Sequence, residues 1–301
     1  MTVWFLRRHP AGRPGRLLLG AVFAVVTTLG APAWAKAGDG TVTVFYPDSM
    51  VQVMQHGIVP AFEQATGHRV AGHHARSLKL ASEIRAKAHA ADVLITTSPR
   101  VNLELMGPSH GNWVDWYALF MQSPLVVGYD PESSFANELK SKPWYKVATE
   151  SDFRLGLTNP DTDPKGRLTA KALDRVVNIY DQQNLEEKLA ANCRIVAAQD
   201  LIDDLQTQQL DAAFLYQSEA VSAGIPFVPL KLGNISATYT VTVLNNAPHP
   251  GPASAFVAFL LSEKGKQILT QSGSFELTLA MPVFGSTNAV PAALKPVLRR
   301  Q

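Results

Sequence analysis

Thr41-Val42-Thr43-Val44-Phe45-Tyr46 runs into Pro47-Asp48-Ser49 and then into a helix-like stretch. Apolar and β-branched residues that stop at a turn-forming triplet read as a strand delivering the chain to a helix start. The same passage recurs four times. Residues 68–75 lead into Arg76-Ser77, and Val93-Leu94-Ile95 leads into Thr96-Thr97-Ser98. Residues 153–157 lead into the turn ending Asp163-Pro164-Lys165-Gly166, and Ala212-Ala213-Phe214-Leu215 leads into Tyr216-Gln217-Ser218. Strands alternating with helices predict an α/β fold whose turns gather at the carboxyl ends of the strands, where ligands bind. A helix start also carries unsatisfied N–H groups and a partial positive charge, which suits an anion.

The roughly 265 residues after position 35 exceed what one compact core usually holds, so two lobes are expected. Residues 115–129 form a long hydrophobic stretch that reads as a strand leaving the first lobe. Helix and strand alternate again from about 130 to 230. Thr238-Tyr239-Thr240-Val241-Thr242-Val243 then shows period-2 alternation and reads as a returning strand. Two such crossings predict a hinge, with the ligand in the cleft between the lobes. The expected division is 36–125 for the first part of lobe 1, 126–235 for lobe 2, and 236–301 for the rest of lobe 1 and a tail. The Pro- and Ala-rich tail, residues 288–301, is expected to pack on the outside or fray.

Residues 1–35 read as an export signal. Arg7, Arg8, Arg13 and Arg16 form a basic region, an apolar run follows to Gly30, and Ala33-Trp34-Ala35 is a cleavage site of the Ala-x-Ala type. The apolar run is shorter than the roughly 20 residues that span a bilayer. No cysteine follows it to carry a lipid, and no later run is apolar enough to span. A soluble periplasmic protein, cleaved after Ala35, is expected.

That segment also carries the basic charge. The whole chain has 27 Lys+Arg against 25 Asp+Glu. Residues 1–35 hold four Arg and no acid, leaving 23 against 25, a net charge of −2. The balance gives no reason to expect nucleic-acid binding, and any anion selectivity must come from local donors. Cys193 is the single cysteine, so an intramolecular disulfide and a cysteine-based metal site are excluded and a buried thiol is expected.

Several segments resemble the periplasmic molybdate/tungstate-binding proteins of ABC importers, within the type II solute-binding fold. They are Ala91-Asp92-Val93-Leu94, Asp115-Trp116-Tyr117, Asn159-Pro160-Asp161-Thr162-Asp163-Pro164-Lys165-Gly166, and the run from Leu210 to Ser218. Ala255-Phe256-Val257-Ala258-Phe259-Leu260-Leu261-Ser262, with Gly265 and Ile268-Leu269, is similar to solute-binding proteins in general. The resemblance implies two lobes, each a mixed sheet flanked by helices, joined by two crossing strands. It implies a small oxyanion as ligand, molybdate or tungstate first, a membrane permease as partner, a monomer, and no cofactor. The alternatives are phosphate, sulfate, an organic anion or a cation in the same fold, or a sensor. Two serines at helix starts bond the oxyanion in that family, and Ser49 and Ser77 hold those positions. An Asp and a Glu carboxylate approach the bound metal in the branch this chain looks most like. Asp163 matches the first, whereas Gln217 stands where the second is expected. The family's small residues in the first two turns are replaced here by Asp48 and Arg76. Tyr216 completes the candidate set.

Each residue also has a structural reading. Ser49 and Ser77 suit helix capping, and Asp163 before Pro164 is the usual N-cap with Pro at the first helical position. A carboxylate about 4 Å from another negative charge costs about 4 kcal/mol at an effective dielectric near 20. Asp163 therefore faces an anion by bonding its metal, by accepting its proton, or with Lys165, Arg167 or Arg76 as counter-charge. With Gln217 in place of Glu, tetrahedral or weakly expanded rather than octahedral binding is expected. Asp48 is expected either to cap its helix or to pair with Arg76 across the cleft mouth. His68, His73 and His74 lack metal-site spacing, since adjacent strand residues face opposite ways. Zinc-protease spacing and a cysteine-nucleophile signature are absent, and a binding protein rather than an enzyme is expected.

Overall fold

The computed structural model describes residues 40–298 apart from 181, 183, 272 and 279. The expected export signal and the last three residues of the tail lie outside the described residues. Strands β1 (Thr41–Pro47), β2 (Arg69–Ala75), β3 (Val93–Thr96), β4 (Trp116–Tyr129), β5 (Leu155–Leu157), β6 (Cys193–Ile195), β7 (Ala212–Tyr216), β8 (Phe227–Pro229) and β9 (Ser236–Val243) build the framework. They run in the order β2-β1-β3-β9-β4-β7-β5-β6. β2, β1 and β3 are parallel to one another, as are β7, β5 and β6. Antiparallel β9 and β4 stand between the two groups.

β4 carries the chain from one group to the other. Its residues from Ala118 to Pro124 pair with β9, and from Leu125 onward its partner is β7. Two short strands, β10 (Glu276–Leu277) and β11 (Val283–Gly285), pair with its first part, and β8 pairs with its second. Its residues are buried along nearly the whole length, as a strand covered on both faces requires.

Helices cover these strands. Helix α1 (Ser77–Arg85) buries Leu80, Ala81 and Ile84, the spacing of one helical face. Helix α2 (Pro164–Tyr180) follows β5, α3 (Gln217–Ala223) follows β7, and α4 (Pro250–Leu260) and α5 (Glu263–Gln271) follow β9. One apolar cluster runs from Phe62, Phe256 and Phe259 through Trp116, Phe120 and Tyr239 to Phe214 and Trp144. Fully burying each such side chain contributes about 1.5–3 kcal/mol. The tail differs from expectation: Val290, Leu294 and Leu298 are buried in that same cluster. Apolar residues at these spacings anchor the segment.

A buried aspartate precedes the inner parallel strand of each group. Asp92 is fully buried and accepts hydrogen bonds from Thr43 N (2.8 Å) and His249 N (2.6 Å). Asp211 accepts from Arg154 N (2.8 Å) and from its guanidinium Nε and Nη2 (both 2.9 Å). Each carboxylate satisfies backbone donors at the end of its strand away from the strand-to-helix turn. Among the described residues no helix is long and apolar enough to cross a membrane.

Candidate functional site

All five strand-to-helix turns send residues to one cavity of about 740 Å³. Asp48, Ser49, Arg76, Ser77 and Thr97 come from the turns after β1, β2 and β3. Asp163, Lys165, Tyr216 and Glu219 come from the turns and helix starts after β5 and β7. A smaller hollow of about 370 Å³, with Asn234 and Glu276 in its wall, holds Gln217.

The first wall leaves helix donors open. Pro47 occupies the N-cap of a 3-10 turn at Asp48–Met50, and Arg76 occupies that of α1. Neither start has a side-chain cap. Ser77, Leu78 and Lys79, the first three residues of α1, line the cavity. Their N–H groups belong to the set with no partner inside the helix. Ser77 is thus the first helical residue rather than a cap. Its hydroxyl accepts from Thr97 N (3.1 Å) and lies 3.2 Å from Thr97 Oγ1, which ties the turns after β2 and β3 together. Ser49 lies inside the 3-10 turn, its hydroxyl 2.7 Å from Tyr239 OH on β9. Ser218 Oγ approaches the same phenol at 3.4 Å, so Tyr239 touches both walls.

Asp48 does not pair with Arg76. Its Oδ1 lies 2.8 Å from His74 Nδ1, because parallel pairing sets Tyr46 beside His74 and Pro47 beside Ala75. Arg76 is exposed and has no ion-pair partner among the described residues. His73 turns to the opposite face and meets Glu83 at 2.7 Å. Among the described residues no group of three or more His, Cys, Asp or Glu could hold a metal ion.

The second wall is made of committed carboxylates. Asp163 Oδ1 accepts from Lys165 N (2.7 Å), Gly166 N (3.4 Å) and Thr158 Oγ1 (3.1 Å), so this aspartate caps α2. Glu219 Oε2 accepts from Tyr216 N (2.9 Å) and lies 2.7 Å from Lys165 Nζ. Burial pushes the Tyr216 phenol well above its ordinary range, and the charges of Glu219 and Asp163 add to that. Burial does the same to Tyr239 against the opposing bonds from Ser218 and Ser49. Both phenols are neutral donors at any physiological pH. Burial likewise raises the Cys193 thiol to about 11, so at neutral pH it carries almost no thiolate.

Gln217 departs from the sequence reading. Its side-chain amide donates to Gly273 O at 2.5 Å, outside the main cavity. Two residues along the helix is a turn of about 200°, so with Gln217 outward Glu219 faces inward. The missed residue had a signal: Glu three positions after a helix-starting residue is the spacing of a reciprocal cap. Gln217→Ala is expected to change the affinity of any ligand held in the main cavity less than threefold, read by calorimetric titration. A tenfold loss would return this side chain to the site.

Gly107-Pro108-Ser109-His110-Gly111 has the spacing of a hydrolase nucleophile elbow. It occupies an exposed 3-10 turn at Pro108–His110, not the strand-to-helix turn that such a nucleophile requires.

This architecture, two groups of parallel strands joined by antiparallel crossings around a shared cavity, defines a two-lobed type II periplasmic binding protein fold. Residues 42–274 match the family model of bacterial extracellular solute-binding proteins. The chain belongs to that family. It is 27% identical over 270 residues to an uncharacterized solute-binding protein of Petrotoga mobilis, covering 78% of this chain and 83% of that one. It is 24% identical over 254 residues to the molybdate/tungstate-binding protein WtpA of Pyrococcus abyssi, covering 67% and 73%. The periplasmic molybdate-binding protein of Azotobacter vinelandii superimposes with a TM-score of 0.62 at 14% identity, covering 79% of this chain and 99% of that one. That last likeness shows the fold.

Proposed function

We propose that this solute-binding protein captures a small tetrahedral oxyanion, molybdate or tungstate, in the 740 Å³ cavity and delivers it to an ABC permease. One observation carries the reading: uncapped helix starts bearing Ser49 and Ser77 face the same hollow as Tyr216 and Lys165. These groups supply hydroxyl, amide and ammonium donors to an anion. The similarity to the molybdate/tungstate-binding WtpA supports the choice of ligand.

The cavity is far larger than one tetrahedral anion, so full contact requires the walls to approach. The partner switch on β4 between Pro124 and Leu125 supports lobe boundaries near 125/126 and 235/236, with closure about these strands. Asp163 is occupied by its own helix, and Gln217 bonds Gly273. Both facts support a ligand held by hydrogen bonds at its oxygens, in tetrahedral rather than expanded coordination. The receptor acts as a periplasmic monomer.

Thermal melting and calorimetry of ligand-stripped protein test this against molybdate, tungstate, sulfate, phosphate and simple organic acids. At 100 times the dissociation constant, a specific ligand adds about 2.7 kcal/mol of stability. For a chain of this size that is about 5–10 °C of melting temperature. Stabilisation by molybdate or tungstate is the expected result. A response confined to phosphate or an organic acid overturns the ligand assignment.

A further inference from the structure

We propose that Lys165 sets the charge selectivity of the cavity, favouring a doubly charged oxyanion over a singly charged one of the same shape. The inference rests on the anion-binding reading of this cavity. Lys165 sits in the first turn of α2 with its side chain only 3% exposed. Its Nζ is 2.7 Å from Glu219 Oε2 and 5.2 Å from the centre of the Tyr216 ring. Beyond that ion pair, Nζ has no hydrogen-bond acceptor among the described residues. An ammonium carries three donors, and a lysine this buried is retained only when its charge is answered.

The surrounding charges show what the lysine does. Six charged side chains line the cavity: Asp48, Arg76, Lys79, Asp163, Lys165 and Glu219. Arg76 and Lys79 are exposed at its rim, where water and salt screen them. Asp163 and Glu219 stand in the second wall with Lys165 as their one buried cation among the described residues. Without Lys165 this wall repels any anion, and repels a dianion twice as strongly. With it, the ammonium answers Glu219 through one contact and keeps donors for the ligand.

Tungstate and perrhenate are tetrahedral oxyanions of similar size carrying two charges and one. Calorimetric titration of both against wild type and Lys165→Gln isolates charge from shape. Because the Coulomb energy scales with ligand charge, a loss of about tenfold for perrhenate implies about a hundredfold for tungstate. The tungstate-to-perrhenate ratio is therefore expected to fall about tenfold in Lys165→Gln. Equal losses for the two anions would assign Lys165 to packing and overturn the inference, as would an unchanged ratio. If Lys165→Gln does not fold, Glu219→Gln carries the test. Freeing the ammonium should raise the ratio, and a constant or falling ratio overturns the inference. Wild type that binds neither anion overturns the proposed function itself, and this inference with it.

Discussion

Gly166→Ala is expected to weaken oxyanion binding more than tenfold and to lower the melting temperature by about 4–8 °C. A β-carbon at this position would lie 2.6 Å from the carbonyl carbon of Asn159 and from Thr158 O, and 2.7 Å from Asn159 O. All three are backbone atoms of the turn that enters α2, and none can rotate away. Alanine gains about 1 kcal/mol in helix propensity over glycine. Overpacking against a fixed backbone costs about 3 kcal/mol, so the clash wins by about 2 kcal/mol. Its relief moves the start of α2, and with it Asp163 and Lys165 in the cavity wall. Melting and titration of the same variant check both effects. A normal melt with full affinity would mean that the turn yields freely.

Asp211→Ala is expected to cost about 2–3 kcal/mol, because the backbone and hydroxyl donors to the buried carboxylate go unanswered while the partly exposed Arg154 guanidinium turns to water. That is about 4–12 °C for a chain of this length. The loss leaves the Arg154 guanidinium and backbone N–H without their acceptor and frees Ser133, whose hydroxyl donates to Asp211 at 2.8 Å. Burial works to raise the Asp211 carboxyl, but the bonds from Arg154 and Ser133 outweigh it and bring the group below its ordinary range. A depressed folded value gives stability that is fully present above the unfolded value, about 3.9, and is lost as pH falls through the folded one. The gap between wild type and Asp211→Asn should hold constant from pH 8 to 5 and shrink only below about pH 4. Urea melts across that range check the sign. A gap that narrows between pH 7 and 5 would assign the effect to another group.

The residues disclosed the framework better than the site. β1, β3, β5 and β7 each announced themselves by an apolar run ending at a turn residue, because strand burial and helix initiation are local decisions, whereas the mostly exposed β2 was marked chiefly by the turn that follows it. The anchoring of the tail was illegible for the opposite reason. Val290, Leu294 and Leu298 find their contacts in a core assembled mostly from earlier parts of the chain. Asp48 illustrates the same limit at the site. Whether it meets Arg76 or His74 depends on the register of β2 against β1, which no spacing within either strand reveals. Lys165 and Glu219 are 54 positions apart and meet only because β5 and β7 are neighbours in the sheet. Gln217 and Glu219 face opposite ways because two residues rotate a helix by about 200°.

Because β4 threads both groups of strands without interruption, neither half possesses a private sheet edge along which it could detach. Heating should consequently dissolve the whole receptor in one cooperative event rather than melting its halves in succession. A ribbon shared by both groups of strands ties their fates together.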